Sequence, residues 1–190
     1  LGHAYHKSHQ GKKEKKLYRK AEHDFPDNPL LIYRQAVLAL DENDTVAANK
    51  LIDKYLLLRR NGLEPEAKIL SGLADIFCEA DLPDKAEKYY REAHSLESKD
   101  PLITNALAYF LTDNDRNISE GLELADNILE LYPDAYEFLD TKGWGLYKQG
   151  KYKEALEFLE KSWDVKSTYD HEIYLHLEAA KKAVAGQKNN

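Results

Sequence analysis

The chain has 190 residues, 43% hydrophobic and 32% charged, with only 6 prolines and 9 glycines, a composition too apolar for disorder and too poor in turn formers for a β-rich fold. A formal charge of −7 argues against a general nucleic-acid binder. One cysteine, Cys78, excludes an internal disulfide or a cysteine-built metal site, and no apolar run approaches the roughly 18 residues of a membrane helix.

Residues 1–20 carry Lys7, Lys12, Lys13, Lys15, Lys16, Arg19 and Lys20 against Glu14 alone. Such a run reads as a solvated helix face, or as a docking patch for an acidic partner. His3, His6 and His9 recur at every third position, but three residues advance nearly a full turn, so only two can share a helix face. With no fourth ligand nearby they read as solvated or groove-facing, and no metal is expected. The chain begins at Leu1 and contains no methionine, so it is read as a soluble fragment or processed form whose compartment is open.

Small residues recur at Gly2, Ala36, Ala74, Ala108 and Gly143. A second series, Glu14, Ala48, Ala86, Gly121 and Ala155, runs with nearly the same period. So does a third: Ala21, Tyr55, Ala93, Ile128 and Ser162. The spacing is close to 34 residues throughout. Turn signals "DEND", "ADLPD" and "TDNDRN" lie between the first and second series, and Pro26, Ser98, Pro133 and Ser167 follow the third. Each unit is therefore predicted as helix, turn, helix, turn, with small residues letting the two helices approach closely. The predicted units are a partial repeat 1–28, a repeat with an extended second helix 29–66, repeats 67–100, 101–135 and 136–169, and a C-terminal capping helix with a polar tail, 170–190.

This pattern resembles the tetratricopeptide repeat (TPR) family, best in "YEFLDTKGWGLYKQGKYKEALEFLEKSWDVKS" (136–167) and next in "SGLADIFCEADLPDKAEKYYREAHSLES" (71–98). Gly143, Leu146, Tyr147, Gly150, Tyr152, Ala155 and Leu159 stand where that family has small, large, aromatic, turn, aromatic, small and large residues. Departures are Glu14 at a small site, Gly121 and Ile128 at alanine sites, and about four extra residues around "NGLEP". The resemblance implies an all-α, right-handed superhelical solenoid of antiparallel helix pairs, about five repeats plus a final helix. Gly143 and Gly145 then fall within a helix as a packing seam, and Gly150 caps it. Their spacing fits no phosphate-binding loop.

The resemblance further implies a concave face lined by the first helix of each pair. Its stripes hold Tyr33, Val37 and Leu40; Ser71, Asp75 and Cys78; Asn105, Tyr109 and Thr112; and Asp140, Trp144 and Tyr147. The candidate groove is Tyr33, Val37, Ser71, Asp75, Asn105, Tyr109, Asp140, Trp144 and Tyr147, with His3 and His6 from the partial unit. Trp144 and Tyr147 have a second reading, as residues covered by the helix that follows. Aromatic and acidic, this face suits a peptide or helix offering apolar anchors and a basic group. Chaperone-binding relatives grip a terminal carboxylate with lysines and asparagines. Only Lys68 and Asn105 fit such a clamp here, so it is not expected.

No base, nucleophile and oxyanion site assemble in the sequence; Cys78 has no histidine in neighbouring stripes, and the acids beside His171 suit a helix start. The expectation is a non-catalytic scaffold or adaptor without a cofactor, holding a protein or peptide partner. The alternative is a structural spacer, or a segment that self-associates through its repeat ends.

Overall fold

The computed structural model describes residues 2–8 and 10–187, the side chains of residues 3 and 7 excepted. His9 and the polar tail 188–190, like the side chain of His3, lie outside the described residues. Among the described residues the regular structure is helical throughout. The chain divides into two compact units, Leu1–Leu96 and Glu97–Asn190.

The first unit contains α1 (Gly2–Lys7), α2 (Gly11–Asp24), α3 (Pro29–Asp41), α4 (Thr45–Asn61), α5 (Glu66–Glu79) and α6 (Pro83–Leu96). These pack as the pairs α1/α2, α3/α4 and α5/α6, and the first helices α1, α3 and α5 lie side by side. The second unit contains α7 (Pro101–Asp113), α8 (Ile118–Leu131), α9 (Tyr136–Lys148), α10 (Tyr152–Val165) and α11 (His171–Gln187). Here the pairs are α7/α8 and α9/α10, with α11 laid against both α9 and α10.

Helix starts follow local chemistry. Asn28, Asp44, Asp100 and Asn117 each accept from a backbone N–H in the first turn of α3, α4, α7 and α8, satisfying donors that the helix itself cannot. Pro29 and Pro101 occupy the first helical turn, where no N–H is required.

The turn inside each complete pair repeats one geometry. Asn43, Asp81, Asp115 and Gly150 have positive φ of 57°, 54°, 53° and 78°. After each, an N–H closes back onto the helix: Asp44 to the Ala39 carbonyl, Leu82 to Phe77, Arg116 to Leu111 and Lys151 to Leu146, at 2.9–3.0 Å. These are left-handed helix caps, and Asn and Asp stand in for glycine because their side chains tolerate that region. The longer α4 ends on the same cap, with the Glu64 N–H closing back to the Arg59 carbonyl at 3.4 Å. Gly62 keeps an ordinary φ, and the left-handed position falls on Leu63, whose side chain is 90% exposed.

The small-residue series explain why the pairs close. Ala36, Ala48, Ala74, Ala86, Ala93, Ala108 and Ala155 are all fully buried. A Cβ on Gly143 would stand 2.6 Å from Leu159 Cγ and 3.2 Å from the Ala155 carbonyl, so α9 and α10 cross in near-backbone contact. A Cβ on Gly145 would meet Leu122 of α8 at 2.7 Å, so this glycine serves the seam with the preceding pair. The glycines of "GWGLYKQG" are thus two seams and a cap.

Candidate functional site

In the first unit, α3 carries the predicted groove residues Tyr33 and Val37, and α5 carries Ser71 and Asp75. Tyr33 is half-buried, edge-on to Tyr55 with ring centroids 6.3 Å apart, and the Arg34 guanidinium carbon lies 5.1 Å from its own centroid. Arg34 pairs with Glu79 on α5. Ser71 and Asp75 are half-buried beside them, and the Tyr90 hydroxyl of α6 donates to Asp75 Oδ1 at 2.5 Å. Burial holds the Asp75 carboxyl above its ordinary range; Glu79 adds to that rise, and the Tyr90 bond and Arg59 oppose it. The Tyr33 phenol is also pushed up, by burial first and then by Glu79.

Val37 is a correction to the predicted groove. It is 1% exposed, on a helix packed against α1, α2, α4 and α5, so it does not line an open surface. His6 faces the acids of its own unit, its Nδ1 3.5 Å from Glu14 Oε2 and from Asp41 Oδ2. Glu14, the departure at a small-residue site, is correspondingly 2% exposed. Burial raises the Asp41 carboxyl, with Asp81 and Glu79 adding and His6 opposing. Cys78 is half-buried. Among the described residues no three His, Cys, Asp or Glu side chains gather where a metal ion could be held.

In the second unit Tyr109, Asp140, Trp144 and Tyr147 are brought together, but under α11. Asp140 is 5% exposed, with both carboxylate oxygens 3.0 Å from His176 Nδ1. This is a second correction: a helix covers Asp140, so it does not line an open surface. Burial raises the Asp140 carboxyl, and the His176 contact opposes the rise. Trp144 stacks between His176 and Tyr147, at centroid distances of 4.0 and 4.8 Å, and its indole N–H donates to Asp113 at 2.8 Å. The Tyr109 hydroxyl donates to Glu172 Oε1 of α11 at 2.5 Å, and burial followed by that bond pushes its phenol well up. Asn105 is half-buried, its Oδ1 without a hydrogen-bond partner among the described residues.

Sequence reasoning did not find His176 or Glu172, which hold α11, nor the parts played by Arg34 and Tyr90. Residues 173, 176, 177 and 180 recur at helical spacing and all are buried, so the period alone would have placed His176 on the covered face of α11.

Paired helices, left-handed caps at matching positions and small residues at each crossing define the repeat geometrically. Yeast Tom70 is similar in structure, with a TM-score of 0.60 and 23% identity over 98% of this chain and 39% of that one. YrrB, described as a TPR protein with an unusual peptide-binding site, aligns at a TM-score of 0.54 and 19% identity, covering 93% of this chain and 88% of its own. The fold is that of tetratricopeptide-repeat proteins. A TPR repeat-containing protein of Pseudomonas aeruginosa is 34% identical over 91 residues, 48% of this chain. This chain matches only 15% of that relative's length. No family model matches the chain.

Proposed function

We propose that this chain is a non-catalytic protein-interaction module, and that the first-helix face of its first unit holds a peptide or helix of a partner. The supporting observation is the half-buried row Tyr33, Ser71 and Asp75 on adjacent helices, with Glu79 and Arg34 beside it. An aromatic ring supplies an anchor surface, while Asp75 and Glu79 supply the field for a basic side chain. The equivalent row of the second unit is engaged by α11, through Glu172 and His176. Its residues Tyr109, Asp140, Trp144 and Tyr147 therefore hold a helix of the same chain, and Asn105 is left as the candidate contact there. YrrB, which shares this fold, is described by its peptide-binding site.

Selection of peptides from a random displayed library on the immobilised chain tests this. The expected ligands combine an apolar anchor with Lys or Arg, and lose binding to a Ser71→Arg variant of unchanged melting temperature. Equal binding to both proteins would remove the first-helix face from the proposal.

The spacer or self-association reading is favoured by a different observation. A recess of about 450 Å³ in the first unit is lined by Leu17, Ala21, Phe25, Leu30 and Leu31, and Phe25 and Leu30 are largely exposed. A sedimentation coefficient that rises with concentration, and stops rising in Phe25→Asp, would support it.

A further inference from the structure

The junction of α10 and α11 carries a ring cluster that plays no part in the first-helix face. Trp163 of α10, Tyr169 of the connecting segment and Tyr174 of α11 form a triangle, with centroids 5.9, 5.9 and 6.2 Å apart. His171 stacks on Tyr174 at 6.3 Å. Tyr169 is 67% exposed and Tyr174 38%, so the cluster faces outward although it contains enough aromatic area to have been buried.

A cation already sits on it. The Lys166 ammonium lies 4.8 Å from the Trp163 centroid and 5.9 Å from that of Tyr169. Among the described residues it has no carboxylate partner, so the ring faces alone hold it there. The surrounding segment, 163–174, has Asp164, Asp170 and Glu172 against Lys166, which biases the local field further toward cations. Asp170 is committed to capping α11, accepting from the Glu172 and Ile173 N–H groups, and Glu172 to Tyr109. The rings are therefore the free recognition element.

We propose that Trp163, Tyr169 and Tyr174 form a binding site for a methylated alkylammonium group, and that Lys166 occupies this site when the ligand is absent. A primary ammonium competes poorly, because it must give up strong hydration for ring faces and Lys166 is already tethered beside them. A methylated ammonium is weakly hydrated, keeps its charge and presents apolar methyls to the rings, the combination that aromatic faces favour. Trimethyl-lysine on a partner chain and a free choline-type amine share this chemistry.

Two-dimensional NMR of the indole N–H groups tests the site, since the chain has only two tryptophans and Trp163→Phe assigns the pair. Tetramethylammonium chloride is titrated against matched sodium chloride. The Trp163 signal is expected to move saturably with tetramethylammonium alone while Trp144 stays in place. Lys166→Ala should tighten binding about 2–5-fold by removing the internal competitor, and Tyr169→Ala, at an exposed position, should abolish it without changing the melting curve. A Trp163 shift that follows the sodium chloride control overturns the proposal, as does undiminished binding in Tyr169→Ala or weaker binding in Lys166→Ala. Comparison of acetyl-trimethyl-lysine amide with choline then assigns the source, and tighter binding of either one supports the site.

Discussion

The Tyr109 hydroxyl on α7 reaches Glu172 on α11 at 2.5 Å, joining side chains 63 residues apart. Between them in sequence come Asp140 and Trp144 of α9, both engaged by His176 of the same α11. The final helix is therefore held in two ways. Ile173, Leu177 and Ala180 are buried on it, with Leu177 and Ala180 clustered on Leu159 of α10, and the polar pair Glu172 and His176 reaches across α9 to α7.

Removing only the hydroxyl tests the polar part. Tyr109→Phe should cost about 0.5–1.5 kcal/mol, toward the lower end because Glu172 is exposed and recovers water. Amide exchange should quicken mainly in the first turn of α11. Undisturbed exchange there would mean that apolar contact alone fixes the helix. Tyr109→Ala should cost more than Tyr109→Phe, since the ring is also half-buried, and that ordering distinguishes an anchor for α11 from a free groove residue.

Crossing points give a second test. Ala155 is fully buried and its carbonyl lies within van der Waals reach of a Cβ placed on Gly143. Ala155→Leu should cost roughly 1–3 kcal/mol by forcing α9 and α10 apart, and Ala86→Leu the same at the α5/α6 crossing. Chemical denaturation would read both. An unchanged midpoint for either would place that alanine away from a crossing.

The same crossings explain why the repeat is legible in the amino-acid sequence. A crossing tolerates only Ala, Gly or Ser at Ala36, Ala86, Ala108 or Gly143, so the constraint is written at single positions with a fixed period. The groove is harder to read. Positions i, i+4 and i+7 span a broad arc of a helix, and whether Val37 or Asp140 is open depends on neighbours the stripe does not name. Val37 is buried on a helix with neighbours packed around it, and Asp140 is closed by His176 from 36 residues downstream. The left-handed caps fall between these cases. Gly150 is readable as one, whereas Asn43, Asp81 and Asp115 adopt the same φ without glycine's signature.

Gly150 isolates the backbone cost of such a cap. Its φ is 78° and a Cβ there would meet nothing within 4 Å, so Gly150→Ala adds strain without a clash. The expected loss is about 1 kcal/mol. Thermal melts should show it, and Gly150→Asn should lose less, because asparagine already serves this position at Asn43. Equal losses for the two would indicate that side-chain tolerance of the left-handed region does not govern these turns.

Asp75 offers a pH-dependent test within the proposed peptide face. Its carboxyl is held above the ordinary range by burial, with Glu79 adding, so the folded chain binds this proton more tightly than the unfolded chain does. Between the unfolded carboxylate pKa, about 4, and the raised folded value, this group makes the folded state lose stability as pH rises. Ionising Asp75 in the folded chain therefore costs stability. Asp75→Asn keeps an acceptor for the Tyr90 hydroxyl and carries no charge, so its melting temperature should exceed that of the parent at pH 7. The difference should shrink on acidification, as the parent's own carboxyl takes up its proton. Melting curves for the two proteins across pH 4–8 would show this convergence; a variant less stable at pH 7 would mean that ionised Asp75 is a net stabiliser held by Tyr90 and Arg59.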